Sequence, residues 1–179
     1  MLEKHFTEQT AIFFSVTKWM FLSSLIGIVI GAAVSFFLNI LTYSESTRSL
    51  LPFSYYYLLP LALVFTVWLV KTFAPSAQGH GTEKVISAVH KKDAKIDVSV
   101  IPVKTLATIV TILAGGSVGK EGPAAQIGAG IASLFSTTFK FKKQDRRKLV
   151  ICGISAGLLP FLGHLSLVRY LVSRFLLLV

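Results

Sequence analysis

Residues 115–123 read GGSVGKEGP, and they carry the residue types that an anion site at a helix start requires. Pro123 suits the first turn of a helix, because its missing N–H removes a donor that has no partner there. The glycines ahead of it let backbone approach a ligand closely. A helix N-terminus presents unpaired N–H groups and about half a positive charge. Together these attract an anion. Glu121 stands at the mouth of that site, between segments that the hydropathy pattern puts in a membrane. An ionisable residue in such a place is a functional candidate by default. Its carboxylate can occupy the position of an anion and vacate it on protonation, which makes a gate and a carrier of protons. The other reading is an ion pair between Glu121 and Lys120, or another lysine, at a water boundary.

The same stretch must be tested as a nucleotide-binding loop. That loop needs a glycine five residues before the Gly-Lys pair and a Ser or Thr after it. Position 114 is Ala114, and Glu121 follows Gly119 and Lys120. Both requirements fail. No nucleophile–base pair is visible either, so an enzyme is not expected. Cys152 is the one cysteine. It excludes an intrachain disulfide and suggests neither a metal cluster nor a cofactor.

These residues need elements that hold them inside a bilayer, and composition supplies them. Of the 179 residues, 53% are hydrophobic and 15% charged, with a mean hydropathy of +0.70. Ordinary soluble domains carry about 25% charged residues. Residues 19–44 and 49–70 hold no Asp, Glu, Lys or Arg, and a spanning helix needs roughly 20 apolar residues. Residues 1–14 are mixed and predict an interfacial helix. Lys18 and Trp19 mark a water boundary, with a first span over about 19–43. Gly27, Gly31 and Ser35 give that span a small-residue face suited to close helix packing. Residues 44–54 read as a loop. Tyr55, Tyr56 and Tyr57 open a second full span that ends at Lys71. A short helix is expected from Thr82, as N-cap, to His90, with Glu83 in its first turn. An apolar segment over 97–114, interrupted by Pro102 and Lys104, and another over 122–139 form a broken pair that meets at the Gly-rich turn. A last apolar segment starts at Leu149, after the basic run KFKKQDRRK at 140–148.

The net charge of +10 does not indicate nucleic acid, because the basic residues lie between apolar segments, where the positive-inside rule puts them. Placing Lys4 and Lys18, the cluster 91–95 and the cluster 140–148 in the cytoplasm requires even numbers of crossings between them. The spans and the broken pair provide these, with the N-terminus cytoplasmic in a multi-pass cell-membrane protein. The N-terminus has no short apolar core followed by a small-residue cleavage site, so no cleaved signal peptide is expected.

GKEGP at 119–123, followed by AAQIGAGIAS at 124–133, resembles the G-(K/R)-E-G-P segment of the chloride channel (ClC) family of voltage-gated chloride channels and chloride/proton antiporters. GHGTEKVISAVH at 79–90 stands where that family has an earlier anion motif, G-S-G-I-P. The likeness continues to LVICGISAG at 149–157 and covers about residues 15–157. It implies an all-α, multi-pass membrane protein that forms the first half of the ClC fold, with broken and re-entrant helices. It implies transport of chloride or a similar anion, with protons in the exchanger members, and a homodimer in the full-length form. Glu121 would be the gating glutamate. Gly119, Lys120, Glu121 and Gly122 would hold the anion, and Gly79, His80 and Gly81 would bring a second helix N-terminus to it. His80 replaces the serine that contacts chloride in many members. It could donate a hydrogen bond or face the cytoplasm.

Residues 158–179 depart from the family, which places a segment like AASVFGTPFAGAIFGVE after ISAG. One choice of synonymous codons for residues 157–174 also encodes that segment in a frame that opens on the last base of the Gly157 codon. A frameshift near Gly157 is therefore expected, with 158–179 an out-of-frame tail. His164, Arg169 and Arg174 would then have no selected role. The alternative to a working transporter is a fragment that transports nothing, or one half of a split transporter.

Overall fold

A computed structural model describes residues 2–49, 57–79, 81–91 and 93–163. The described residues form six α-helices and a 3₁₀ turn, with no strand among them. They are α1 (Leu2–Ser49), α2 (Leu59–Phe73), the turn Pro75–Ala77, α3 (Gly81–Lys91), α4 (Val100–Leu113), α5 (Glu121–Thr138) and α6 (Lys143–Gly163).

The long helix α1 runs through both the expected interfacial segment 1–14 and the first part of the expected loop 44–54. The polar residues at its end are helical, and their hydroxyls donate back to the preceding turn. Ser44 bonds the Ile40 carbonyl at 2.8 Å and Thr47 bonds that of Tyr43 at 2.9 Å. Residues Ile12–Thr47 are apolar and long enough to cross a membrane. The stripe Ile26, Ile30, Val34, Phe37 and Leu41 is buried, at the spacing of one helix face. It packs into a single core with Val85, Ile112, Ala124, Ile127, Leu149 and Val150. The other faces of α1, with Phe21, Ile28, Val29 and Phe36, are exposed. A helix that is apolar all round is suited to lipid.

Of the second full span, the described residues hold the part from Tyr57 onward. The helix α2 has 15 residues, about 22 Å at helical rise, against a hydrocarbon core of about 30 Å. Pro75 ends it, and Tyr55 and Tyr56 lie outside the described residues. Pro102 does not interrupt the third segment either. It sits in the first turn of α4, where a proline costs no hydrogen bond. The basic run is not all loop, since α6 begins at Lys143 with Asp145 in its first turn, a favourable place for an acid. The helix passes Gly157 unbroken to Gly163. Residues 164–179, with His164, Arg169 and Arg174, lie outside the described residues.

Close helix packing occurs, but not at the predicted glycines. A methyl added at Gly27 or Gly31 would meet nothing within 4 Å. The intimate contact is between α5 and α6, where Gly128, Gly153 and Gly157 leave room for backbone. A Cβ at Gly153 would lie 2.6 Å from the Gly128 carbonyl oxygen and 2.7 Å from the Ala132 methyl.

The connection from α3 to α4 is tied to α5 and α6 by polar contacts. The Ser133 hydroxyl accepts from the Ile96 amide at 2.9 Å and donates to the Ala94 carbonyl at 3.2 Å. Asp93 pairs with Lys143 at 2.8 Å and Arg147 at 3.5 Å. The hydrogen bond from Lys143 is the main cause that holds the Asp93 carboxyl below its ordinary pKa; burial opposes it, and the charges of Lys143, Arg147 and Arg146 add to it. Its stabilisation is complete above the unfolded carboxylate value of about 3.9. It disappears as pH falls through the lower folded value. Asp93→Asn is therefore expected to melt below the parent at neutral pH and to converge with it in acid, as read from thermal unfolding in detergent.

Candidate anion site

The chain brings the starts of α3 and α5 to one cavity of about 1100 Å³. Gly79, Gly81 and Thr82 line it from one side, and Gly119 to Pro123 from the other. The two helix starts touch through backbone. A Cβ at Gly81 would overlap the Gly122 carbonyl, and one at Gly122 would stand 3.5 Å from the Gly81 amide nitrogen. Only glycine at position 81 permits this approach. The α5 helix starts at Glu121, so the Glu121 and Gly122 amides lie in the first turn, where no intrahelical partner exists. Pro123 brings no donor. In α3, Gly81 is the first helical residue. Thr82 therefore lies inside the helix and is not its N-cap, which corrects the expectation above.

His80 lies outside the described residues. Gly79 has φ +78°, a conformation that favours glycine, and it turns the chain from Gln78 into α3. Gly119 is exposed at the rim, and a methyl there would meet nothing within 4 Å. Glu121 is exposed on the cavity. It does not pair with Lys120, because the Lys120 ammonium is 2.7 Å from the Glu45 carboxylate near the end of α1. No ion pair of Glu121 occurs among the described residues. With Lys120 balanced by Glu45, Lys71 and Lys104 line the cavity against the one carboxylate of Glu121, which favours an anionic occupant.

Lys104 matters more than its place in the sequence suggests. In the sequence it reads as an interruption of an apolar segment. In the fold it turns off α4 into the cavity, and its ammonium donates to the carbonyls of Ala77 at 3.0 Å and Gly79 at 3.2 Å. It thus fixes the turn that aims α3. No sequence signal specified these partners, since they lie 27 and 25 residues away. Charged hydrogen bonds of this kind contribute about 1.5–3 kcal/mol each. Lys104→Met is expected to lower halide affinity about tenfold or more, read by titration calorimetry on the purified chain.

The place of the site in the bundle follows from its neighbours. Lys148 stands 4.8 Å from the centre of the Trp19 ring, and Lys143 meets Asp93. The basic residues near Trp19, after α3 and at the start of α6 thus share one end of the bundle. The α3 helix rises from that end with 11 residues. Its N-terminus is therefore about 16 Å of helix length away from that end.

Comparison with known proteins agrees with this architecture. The family model described as voltage gated chloride channel matches residues 61–159, from α2 through the GKEGP turn to α6. The chain belongs to the voltage-gated chloride channel family. It is 30% identical over 148 residues to a chloride/fluoride channel protein of Pseudomonas syringae pv. tomato, covering 83% of this chain and 32% of that relative. It is 28% identical over 165 residues to the H(+)/Cl(-) exchange transporter ClcA of Salmonella arizonae, covering 86% of this chain and 35% of that protein. The crystal structure of a CLC-type fluoride/proton antiporter superposes with a TM-score of 0.71 at 29% identity, over 80% of this chain and 36% of that one. Membership in the chloride channel family makes this an all-helical membrane protein. The chain spans about a third of the length of these relatives.

Proposed function

We propose that the chain carries the first half of an anion pathway for chloride or fluoride, in which Glu121 competes with the ion for the start of α5. The observation that carries this reading is the backbone contact of Gly81 with Gly122, which turns two helix N-termini onto one cavity. Gly79, Gly81, Gly119, Lys120 and Gly122 form the anion's surroundings, with His80 beside them in sequence. The names of the relatives include channels and proton exchangers, chloride and fluoride, so protons are a second cargo of this reading. The shared basic end supports a multi-pass chain with a cytoplasmic N-terminus, paired as a homodimer in the full-length form. Residues 158–179 are read as out of frame after Gly157. Gene sequencing tests that, since codons incompatible with the shifted segment would remove it.

Flux from halide-loaded liposomes containing the frame-restored protein tests the function. Protonation of a carboxylate gate changes about tenfold per pH unit above its pKa, so the parent's flux should follow pH. Glu121→Gln should abolish that dependence. A mutant with the parent's flux and pH profile would remove Glu121 from the mechanism. The second reading, a non-transporting fragment or half of a split transporter, draws on the one-third span. A non-transporting fragment predicts no flux, and half of a split transporter predicts flux only when a separate second segment is co-reconstituted.

A further inference from the structure

Lys120 and Glu121 are neighbours in the chain, yet only one of them has an ion-pair partner among the described residues. Lys120 is the residue from which α5 starts. Its carbonyl accepts from the Ala124 amide at 3.2 Å, and its side chain makes no capping bond to the helix. The ammonium lies 2.7 Å from the Glu45 carboxylate. Lys120 and Glu121 both line the helix-start cavity, whereas Glu45 does not. The register of α1 explains how Glu45 reaches the pair. Val34, Phe37 and Leu41 belong to the buried stripe of α1. Glu45 follows Leu41 by four residues, one turn further on the same face. It therefore faces the bundle at the end of the apolar stretch Ile12–Thr47.

The charges around Glu121 come from several elements. Lys71 on α2 and Lys104 on α4 line the cavity with it, and the Lys104 ammonium is held by the Ala77 and Gly79 carbonyls. On α3, Glu83 and Lys84 stand outside the lining, and α6 brings the apolar Leu158 and Phe161. Lys120 is the charged residue next to Glu121 in the chain, and Glu45 on α1 balances it. We propose that Glu45 is a positioning residue of the gate: by drawing the Lys120 ammonium to α1, it sets the pH at which Glu121 yields its place to the ion. The inference rests on the proposed competition between Glu121 and the ion. An ammonium freed beside Glu121 would favour its carboxylate, so a more acid solution would be needed to release it. A Glu45 carboxylate left without its lysine would favour the protonated form.

Halide titration of the purified full chain over a pH series gives the midpoint at which affinity falls. Glu45→Gln should move that midpoint about half a unit or more toward acid, and Lys120→Gln a similar amount toward alkali, as expected for one charge across a wet cavity. Glu45→Asp keeps the charge and should keep the parent's midpoint. The opposite signs separate this role from a structural one, because each single change breaks the same ion pair and its structural loss would act alike in both. Midpoints that shift in the same direction, or do not shift, in a chain whose affinity follows pH would overturn the role of Glu45 and leave that of Glu121 standing. A parent whose halide affinity does not follow pH would remove Glu121 as the gate, and the role of Glu45 with it.

Discussion

Gly81→Ala is expected to reduce halide affinity by about tenfold to a hundredfold. The added methyl would enter the Gly122 carbonyl, and backbone cannot give way as a flexible side chain does. Overpacking of this kind costs about 1–3 kcal/mol, and here relief requires the starts of α3 and α5 to separate. Each start carries about half a positive charge whose effect is confined to its first turn, so separation removes one of them from the ion. Gly119→Ala is the matched control. It lies on the same rim, and its methyl meets nothing within 4 Å, so affinity should stay within about twofold. Titration of chloride and fluoride into the two variants measures the difference. Equal affinities would mean that the Gly81–Gly122 contact does not build the site.

The second large effect concerns stability. Gly153→Ala places a methyl 2.6 Å from the Gly128 carbonyl oxygen and 2.7 Å from the Ala132 side chain. The α5 and α6 helices must move apart, at a cost of about 1–3 kcal/mol. Gly27→Ala has the opposite sign. The site on α1 is open, and alanine is a better helix former than glycine by about 1 kcal/mol. Thermal unfolding in detergent should rank the proteins Gly27→Ala, parent, Gly153→Ala from most to least stable. The ranking would fail if Gly27 and Gly31, rather than Gly128 and Gly153, formed the tight helix contact.

Those two glycines also mark what a sequence can and cannot reveal about this fold. Small residues at helical spacing occur on both α1 and α5, and spacing alone does not say which face meets a partner helix. The start of α5 was legible because its chemistry is local: the glycines, Glu121 and Pro123 specify a helix start without reference to distant residues. The start at Gly81 was legible to within a residue for the same reason. The continuation of α1 beyond residue 43 was not, because Ser44 and Thr47 read as loop formers until their hydroxyls are seen bonded to Ile40 and Tyr43. Lys104 was misjudged because its role depends on carbonyls contributed by a different segment. The Glu45–Lys120 pair was hidden in the same way, and it decides which partner Lys120 takes.

The proposed function rests on an ion held where α3 and α5 begin. Anomalous diffraction from crystals of the chain grown in bromide tests this directly. The account predicts a bromide peak in the cavity, against the amides of Gly81, Glu121 and Gly122. A helix-start cavity without bromide, with Glu121 extended into bulk water and the 115–123 turn lying on the membrane surface, would contradict it.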